Sequence, residues 1–548
     1  MKTGLKLLIF ILTISFATSC NHSNTLGKMI PKHAFVIVHV NGRALSSKMS
    51  WEEVKQSSWF TKFTNDTSVQ IWMKKVLDNP ETSGIDNKGD LVLFVEKGSD
   101  TDAQIVIEGD IKDEKEFTNF CKNISASDDE NKQNGVSILR LKNNGVVGWN
   151  NKKFAFLFDR TVPRMNGDST IGIHSGFNNG DLTVMCKNLF DLKEDSSMRN
   201  NNNFTTLLNE TADVHIWQNS EEILKSTPAL GMLGMLKLDV FIKNNVSTYA
   251  INFENGKIDV KQKLYTSKEL MDVLKKYGGG SLNTEMIKNI PTQDIDALVS
   301  LHFKPQGIAE ILKLTGIDGM LNIFMAQAGF NLDDFVAANK GDVLFVASNM
   351  LIKKDSTKDS SRINYQPNLH YLFAASIGDK SSFNKLMNGG KTLSTQMKKD
   401  SGINYMMNDK YFVLGNDPNS VNKYNAGGNN SFTFMDEIKD HPIALYIDLN
   451  KILGNIAAVN TDTASKPFLN ANAKMWDKIY SSGGNIEDDA FQMHMVVTLV
   501  DKSTNSLKQI NNLVDLAAKL HHSHKINFPE DKDASDSLHR YMDSSTVK

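Results

Sequence analysis

Cysteine is nearly absent, with 3 in 548 residues, so no disulfide framework can hold this chain together. Neither charge is in excess. The 61 Lys and Arg against 63 Asp and Glu leave a formal net charge of −2, which gives no basic surface to displace phosphate counterions and excludes a whole-protein nucleic-acid binder. Long apolar runs are missing too. The stretch Leu7 to Leu12 falls far short of the roughly 20 residues that cross a bilayer. Catalytic spacings are equally scarce. Gly172-Ile173-His174-Ser175-Gly176 places its serine one position too late for a nucleophile elbow, and Gly389-Gly390-Lys391-Thr392 has Lys385 where a phosphate loop needs its first glycine. No H-E-x-x-H zinc motif occurs, and Asp128 to Gly135 cannot supply both the glycine and the acidic ligands of an EF-hand.

What is present is a 40% hydrophobic composition, ample for real cores, in a chain whose length alone suggests three or four domains at roughly 150 residues each. Residues 1–19 read as a signal peptide: Lys2 and Lys6, the apolar run, then Ala17-Thr18-Ser19 directly before Cys20. Small residues before a cysteine resemble the lipobox of bacterial lipoproteins, which makes Cys20 the expected site of lipidation and 20–29 an anchor linker. Removing the leader leaves 59 basic against 63 acidic residues. Cys121 and Cys186 remain. Cys121 shares a helical stripe with Phe117 and Phe120 and is expected as a buried thiol, with a Cys121–Cys186 bridge as the alternative in an oxidising compartment.

Compared with itself, the chain repeats. Ile30-Pro31 and Ile290-Pro291 each precede an apolar alternation, Val36, Val38, Val40 and Val299, Leu301, Phe303. Asn87-Lys88-Gly89-Asp90 and Asn339-Lys340-Gly341-Asp342 each deliver an apolar strand. Val214 to Trp217 corresponds to Ile443 to Tyr446, and both parts close with strands and a helix. The strands flanking Asn255-Gly256 alternate apolar and charged residues around a favoured hairpin turn, as in an antiparallel sheet with one solvated face. The closing helix is expected to start at a capping box, Thr266 to Glu269, and to stop at Gly278. The expected fold class is therefore α+β, two tandem repeats, each a mainly antiparallel sheet with helices packed on one face. The first repeat spans 30–277 and the second 290–522, with a Gly-rich hinge at 278–289 and a polar tail at 523–548. The stretch 160–203 is an insertion in the first repeat.

The lipobox, Ile30-Pro31-Lys32, Gly84-Ile85-Asp86 before Asn87 to Asp90, and Gly329-Phe330-Asn331-Leu332 before Lys340-Gly341-Asp342 together resemble the bacterial lipoproteins grouped as domain-of-unknown-function family 4836. The resemblance covers nearly the whole mature chain. It implies a Gram-negative envelope lipoprotein, and it brings neither an activity nor catalytic residues.

Binding candidates come from residue type and place. His39 and His302 sit in the two opening strands, each on the face opposite the Val/Leu/Phe set, and are expected to be paired sites or hydrogen-bonded strand histidines. His521 and His524 share a helical face if the last helix extends that far, and are the metal candidates, weighed against a solvated helix end. Trp217 stands for the aromatic excess of the first repeat as a ligand platform or a core residue. Leu230 to Leu236 reads as a buried apolar connector. No catalytic residue and no cofactor are assigned. The expectation is a lipid-anchored, non-catalytic envelope protein that binds in a cleft between its copies or joins an assembly. Its partners would be the membrane, through the lipid, and an envelope protein or glycan, with no nucleic acid. The expected location is the outer membrane, on its periplasmic face. The alternative is an envelope hydrolase whose carboxylates, near Asp90 and Asp342, meet only in the fold.

Overall fold

The structure is a computed structural model that describes residues 26–65, 71–97, 102–126, 130–142, 145–161, 179–225, 238–355, 364–396, 403–460 and 462–523. Cys20, His524, Gly172 to Gly176 and Leu230 to Leu236 lie outside these.

The first part of the chain runs β1 (Ala34–Asn41), α1 (Trp51–Lys55), α2 (Ser58–Asn65), β2 (Asp90–Lys97), β3 (Asp102–Asp110), α3 (Glu114–Ile124), β4 (Asn131–Gln133), β5 (Val136–Arg140), β6 (Gly145–Trp149) and β7 (Lys153–Thr161). It continues through α4 (Asn179–Phe190), α5 (Asn202–Leu208), β8 (Val214–Asn219), β9 (Val246–Glu254), β10 (Lys257–Tyr265) and α6 (Lys268–Tyr277). The second part runs α7 (Thr284–Lys288), β11 (Ile295–His302), α8 (Pro305–Thr315), α9 (Asp318–Gln327), α10 (Leu332–Ala338), β12 (Asn339–Asp355), β13 (Asn364–Ile377), α11 (Lys380–Gln396), β14 (Asn404–Met407) and β15 (Tyr411–Gly415). It ends with α12 (Pro418–Ala426), β16 (Ile443–Asp448), α13 (Leu449–Val459), β17 (Trp476–Glu487), β18 (Ala490–Leu499) and α14 (Ser506–Ser523).

Local signals explain many of these elements. The Asn255-Gly256 turn closes β9 onto β10 with Glu254 opposite Lys257 and Gly256 at φ 66°. Helix α3 is capped by Asp113, which accepts from the Glu116 amide, and buries Phe117, Phe120 and Cys121 as the stripe requires. Helix α6 ends at Gly278 as expected, but its N-cap is Ser267, one residue later than the expected box, because the Ser267 hydroxyl is the group that accepts from the Leu270 amide.

The pairings join all 18 strands into one antiparallel α+β sheet. Read across the ladders, β6-β7-β3-β2-β1-β8-β9-β10 meets β18-β17-β16-β11-β12-β13-β15-β14 at the β10–β18 seam, where Lys257 to Leu264 pairs with Thr498 to Phe491. The seam is a ladder, so the expected binding cleft between two separate units is filled by backbone pairing. The expected hinge also differs. Residues 278–289 include α7, whose Met286 and Ile287 are buried in the core of the second part.

The helices do not stay on one face. On the face called A here, α1, α2 and α3 close a core with Val40, Leu91 and Phe154. On face B, α4 and α5 place Leu182, Cys186 and Phe204 over Val92, Val106 and Leu157. The 160–203 insertion supplies α4, so the element read as surplus is what buries the second face. Cys121 lies in the face A core and Cys186 in the face B core; both thiols are free and buried, with the sheet between them. Burial pushes Cys121 well up and Cys186 up to about 12, so both are inert thiols.

The closing helices cross over. Helix α14 packs on α2, where the Ser58 hydroxyl donates to Asp515 at 2.6 Å and Trp59 Nε1 donates to Asn511 Oδ1 at 2.9 Å. Helix α6 packs on α8, and a Cβ at Gly307 would come within 2.7 Å of Tyr277. Each closing helix thus covers helices of the other part.

The two Asn-Lys-Gly-Asp turns differ in strain. Gly341 has φ 97°, and a Cβ there would fall 1.6 Å from the Phe303 carbonyl oxygen, whereas the nearest atom to a Cβ on Gly89 is 3.1 Å away. Gly341→Ala is expected to destabilise by about 2–4 kcal/mol and Gly89→Ala by less than about 1 kcal/mol, measured by urea denaturation.

Candidate functional site

Pairing brings the opening-strand histidines to carboxylates. His39 on β1 lies opposite Val92 on one side and His215 of β8 on the other. The two rings stack with centroids 5.2 Å apart, and their Nδ1 atoms are 2.9 Å apart. His215 Nε2 is 2.8 Å from the Glu210 carbonyl, and His39 Nε2 lies 3.2 Å from Asp90 Oδ1, at the start of β2, off the line of a good hydrogen bond. All three side chains are buried.

Proton accounting orders this chain. The Glu210 carbonyl can only accept, so His215 Nε2 carries hydrogen. Neutral His215 then accepts at Nδ1, which requires hydrogen on His39 Nδ1. Burial, followed by the repulsion of charge on His39, holds the His215 pKa below its ordinary value and keeps that ring neutral.

Further along face B, Glu108 lies opposite Val92, and Asp110 lies opposite Lys153. Glu108 is pushed up to about 7 by burial, with Lys153 pulling down and Asp110 pushing up. For Lys153, burial pulls the other way, but Glu108 and Asp110 outweigh it and raise its pKa; its Nζ is 2.8 Å from Asp110.

In the second part, His302 stands directly opposite Asp342, with Nδ1 2.7 Å from Oδ1. Asn283 Nδ2 donates to Asp342 Oδ2 at 3.0 Å, and the Asp342 amide donates to the Ser376 hydroxyl at 3.0 Å. Gly280 is glycine here for a reason, since a Cβ would meet His302 at 2.7 Å. Burial and then Glu285 push the nearby Tyr411 phenol up to about 12.

Register corrects the expected equivalence of the histidines. In the ladder, Asn41 pairs with Asp90 as His302 pairs with Asp342; His39 is two residues away and reaches Asp90 diagonally. Helix capping explains the swap, since Asn41 is the N-cap of a short helix, Gly42–Lys48, and its side chain accepts from the Ala44 amide. Asp90 and Asp342 are nine strand steps apart in the ladder order and each faces its own histidine, so strand pairing does not bring the two carboxylates together. Trp217 is 2% exposed in the face B core and offers no ligand platform. His521 falls in α14. Gly389 to Thr392 is helical within α11 and forms no phosphate loop. Among the described residues, no group of three or more His, Cys, Asp or Glu is placed to hold a metal ion. His215, Glu108, Lys153 and Asn283 were not legible as members of these clusters. Only the Val214–Trp217 repeat match pointed near one of them, because strand neighbours distant in sequence leave no local pattern.

The fold and these clusters define a two-part α+β protein in which, in each part, a histidine of the first strand pairs with an aspartate of the second. The chain belongs to the family described as Domain of unknown function (DUF4836), which matches residues 27–453. No curated protein matches it. A solved structure described as crystal form I of TP0453 is similar over 45% of this chain and 80% of its own, at 10% identity and a TM-score of 0.23.

Between pH 4.5 and about 7, folded Glu108 holds a proton that the unfolded chain has released. Its contribution therefore weakens stability as pH rises through that window, by at most about 3 kcal/mol. Glu108→Gln is expected to flatten the slope of unfolding free energy over that range. His215 acts in the opposite sense, with stability lost as pH falls below its ordinary value of 6.5. His39→Ala, which strips a buried carboxylate of its ring, should destabilise by about 2–4 kcal/mol in denaturant titrations. The partly exposed His302→Ala should cost about 1 kcal/mol or less.

Proposed function

We propose that this chain is a lipid-anchored envelope protein that binds a ligand without transforming it, built from two copies of one α+β unit spanning about 30–277 and 290–522. The duplication is supported by the matching strand orders and by bulges at Ala34/Val36 and Ile295/Ala297, which share one sequence offset. Anchoring at Cys20 rests on the Ala17-Thr18-Ser19-Cys20 sequence, with the outer membrane and its periplasmic face as the location. Among the described residues no helix is long and apolar enough to cross a membrane. An envelope protein or a glycan is the class of assembly partner compatible with that location.

The observation that carries the binding role is an asymmetry. Face A is closed in the first unit and open in the second. Along one row of ladder partners in the first unit, Ile107, Phe156 and Val147 are buried in a core. The corresponding row in the second unit contains Phe345 at 40% exposure and Tyr405 at 52%. The carboxylate–imidazole clusters, by contrast, are engaged with their own neighbours, as structural polar groups are.

Labelled palmitate fed to the producing cells is expected to appear in the wild-type chain and to vanish in Cys20→Ala. Label retained in the variant would show the anchoring to be wrong.

A further inference from the structure

On face A of the second unit, five strands lie side by side in the order β14-β15-β13-β12-β11, and β16 follows. Tyr405, Leu414, Phe373, Phe345, Val299 and Leu445 are successive ladder partners and form one apolar row across them. Phe345 belongs to an interior strand with neighbours on both sides, so its exposure reports an uncovered sheet face and not an edge. One end of the strands is covered by α10 and α11, where Phe383 packs on Phe412. At the other end α13 lies against β11, β12 and β17, with Asn455 Nδ2 donating to the Met350 carbonyl at 2.7 Å. Between these ends, among the described residues, Phe345 and Tyr405 are exposed and Leu414, Phe373, Val299 and Leu445 are partly buried. Helix α9, in the layer that closes face A in the first unit, buries none of its residues here and exposes Ile323 and Phe324 by 64% and 61%.

The floor also says what fits. The row contains no Asp, Glu, Lys, Arg or His, and Tyr405 is its only polar member, so it offers no charged side chain to a phosphate, carboxylate or ammonium. Beneath β15, β13, β12 and β11 the backbone is already paired on both sides within the sheet, so an extended peptide lying across these strands would find no partners for its own amides. A hydrocarbon chain asks for neither. From β14 to β16 the row covers about 24 Å at ~4.8 Å per strand, enough for the roughly 15 Å depth of one leaflet of a ~30 Å bilayer core. We infer that face A of the second unit binds an acyl chain of a membrane phospholipid along this row, with the headgroup left in solvent. This rests on the binding role proposed above and names its ligand class.

The test uses the full chain and phosphatidylcholine carrying a fluorescent parinaroyl chain. Saturable fluorescence is expected. Phe345→Glu, at an exposed position, should weaken it about tenfold or more with unchanged circular dichroism, while Phe345→Leu should retain it. Leu93→Met, at the matching place in the closed first unit, should leave it unchanged. Absence of binding, or binding indifferent to Phe345→Glu, overturns the acyl-chain inference and leaves the anchoring and binding role standing. A wild-type dimer that excludes the probe and that Phe345→Glu dissociates overturns both the acyl-chain inference and the binding role, since a second copy then covers the face, and leaves the anchoring standing. If mass spectrometry finds the probe bound but cleaved, the acyl-chain inference stands and the non-catalytic role falls.

Discussion

The architecture depends on the ladder between β10 and β18. These strands are the last of their respective parts, and pairing Lys257–Leu264 with Thr498–Phe491 turns two sheets into one. The pairing removes two edges that would otherwise present unsatisfied amides and carbonyls to other chains. Because it is antiparallel, it sets the two parts head to head and lets each closing helix reach across. Helix α14 then locks onto α2 through Asp515 and Asn511, and α6 onto α8. The parts are therefore coupled in stability, since neither helical layer is complete without the other part's helix.

Within this shared frame the two parts differ in how they are filled. The first buries both faces of its sheet, with aromatic side chains such as Phe117 and Phe154 stacked at 5.2 Å on face A and α4 and α5 over face B. The second keeps a full core only on face B, around Leu298, Leu344 and Tyr424. On face A its compact core shrinks to Ala338, Ile377 and Phe383. A closed part that supplies stability can support an open part that forgoes it, because the seam and exchanged helices connect them. Exposed Phe345 fits that division, since its apolar surface is left unburied in the second part.

The polar clusters belong to the frame. His39, His215 and Asp90 form a buried chain in which each ring nitrogen faces a neighbour, and His302, Asp342 and Asn283 form a more open counterpart. Both sit where a turn rich in Asn, Gly and Asp feeds a strand. There the carboxylate pins the turn to the adjacent opening strand.

Much of this was readable in order along the chain. Alternation around Asn255-Gly256 fixed an antiparallel hairpin, the Phe117–Phe120–Cys121 stripe fixed a helix and its buried face, and each Asn-Lys-Gly-Asp marked a turn that delivers a strand, because each depends on residues within a few positions of one another. Tertiary structure alone decided the rest. The seam, the crossing of α6 and α14, the covering of face B by the 160–203 insertion, the placing of His215 beside His39 and the two-residue offset between His39 and His302 all join residues far apart in sequence. Which face stays open is likewise settled by where helices land. Phe345 and Leu93 read alike as strand residues, and only packing leaves one exposed and closes the other in.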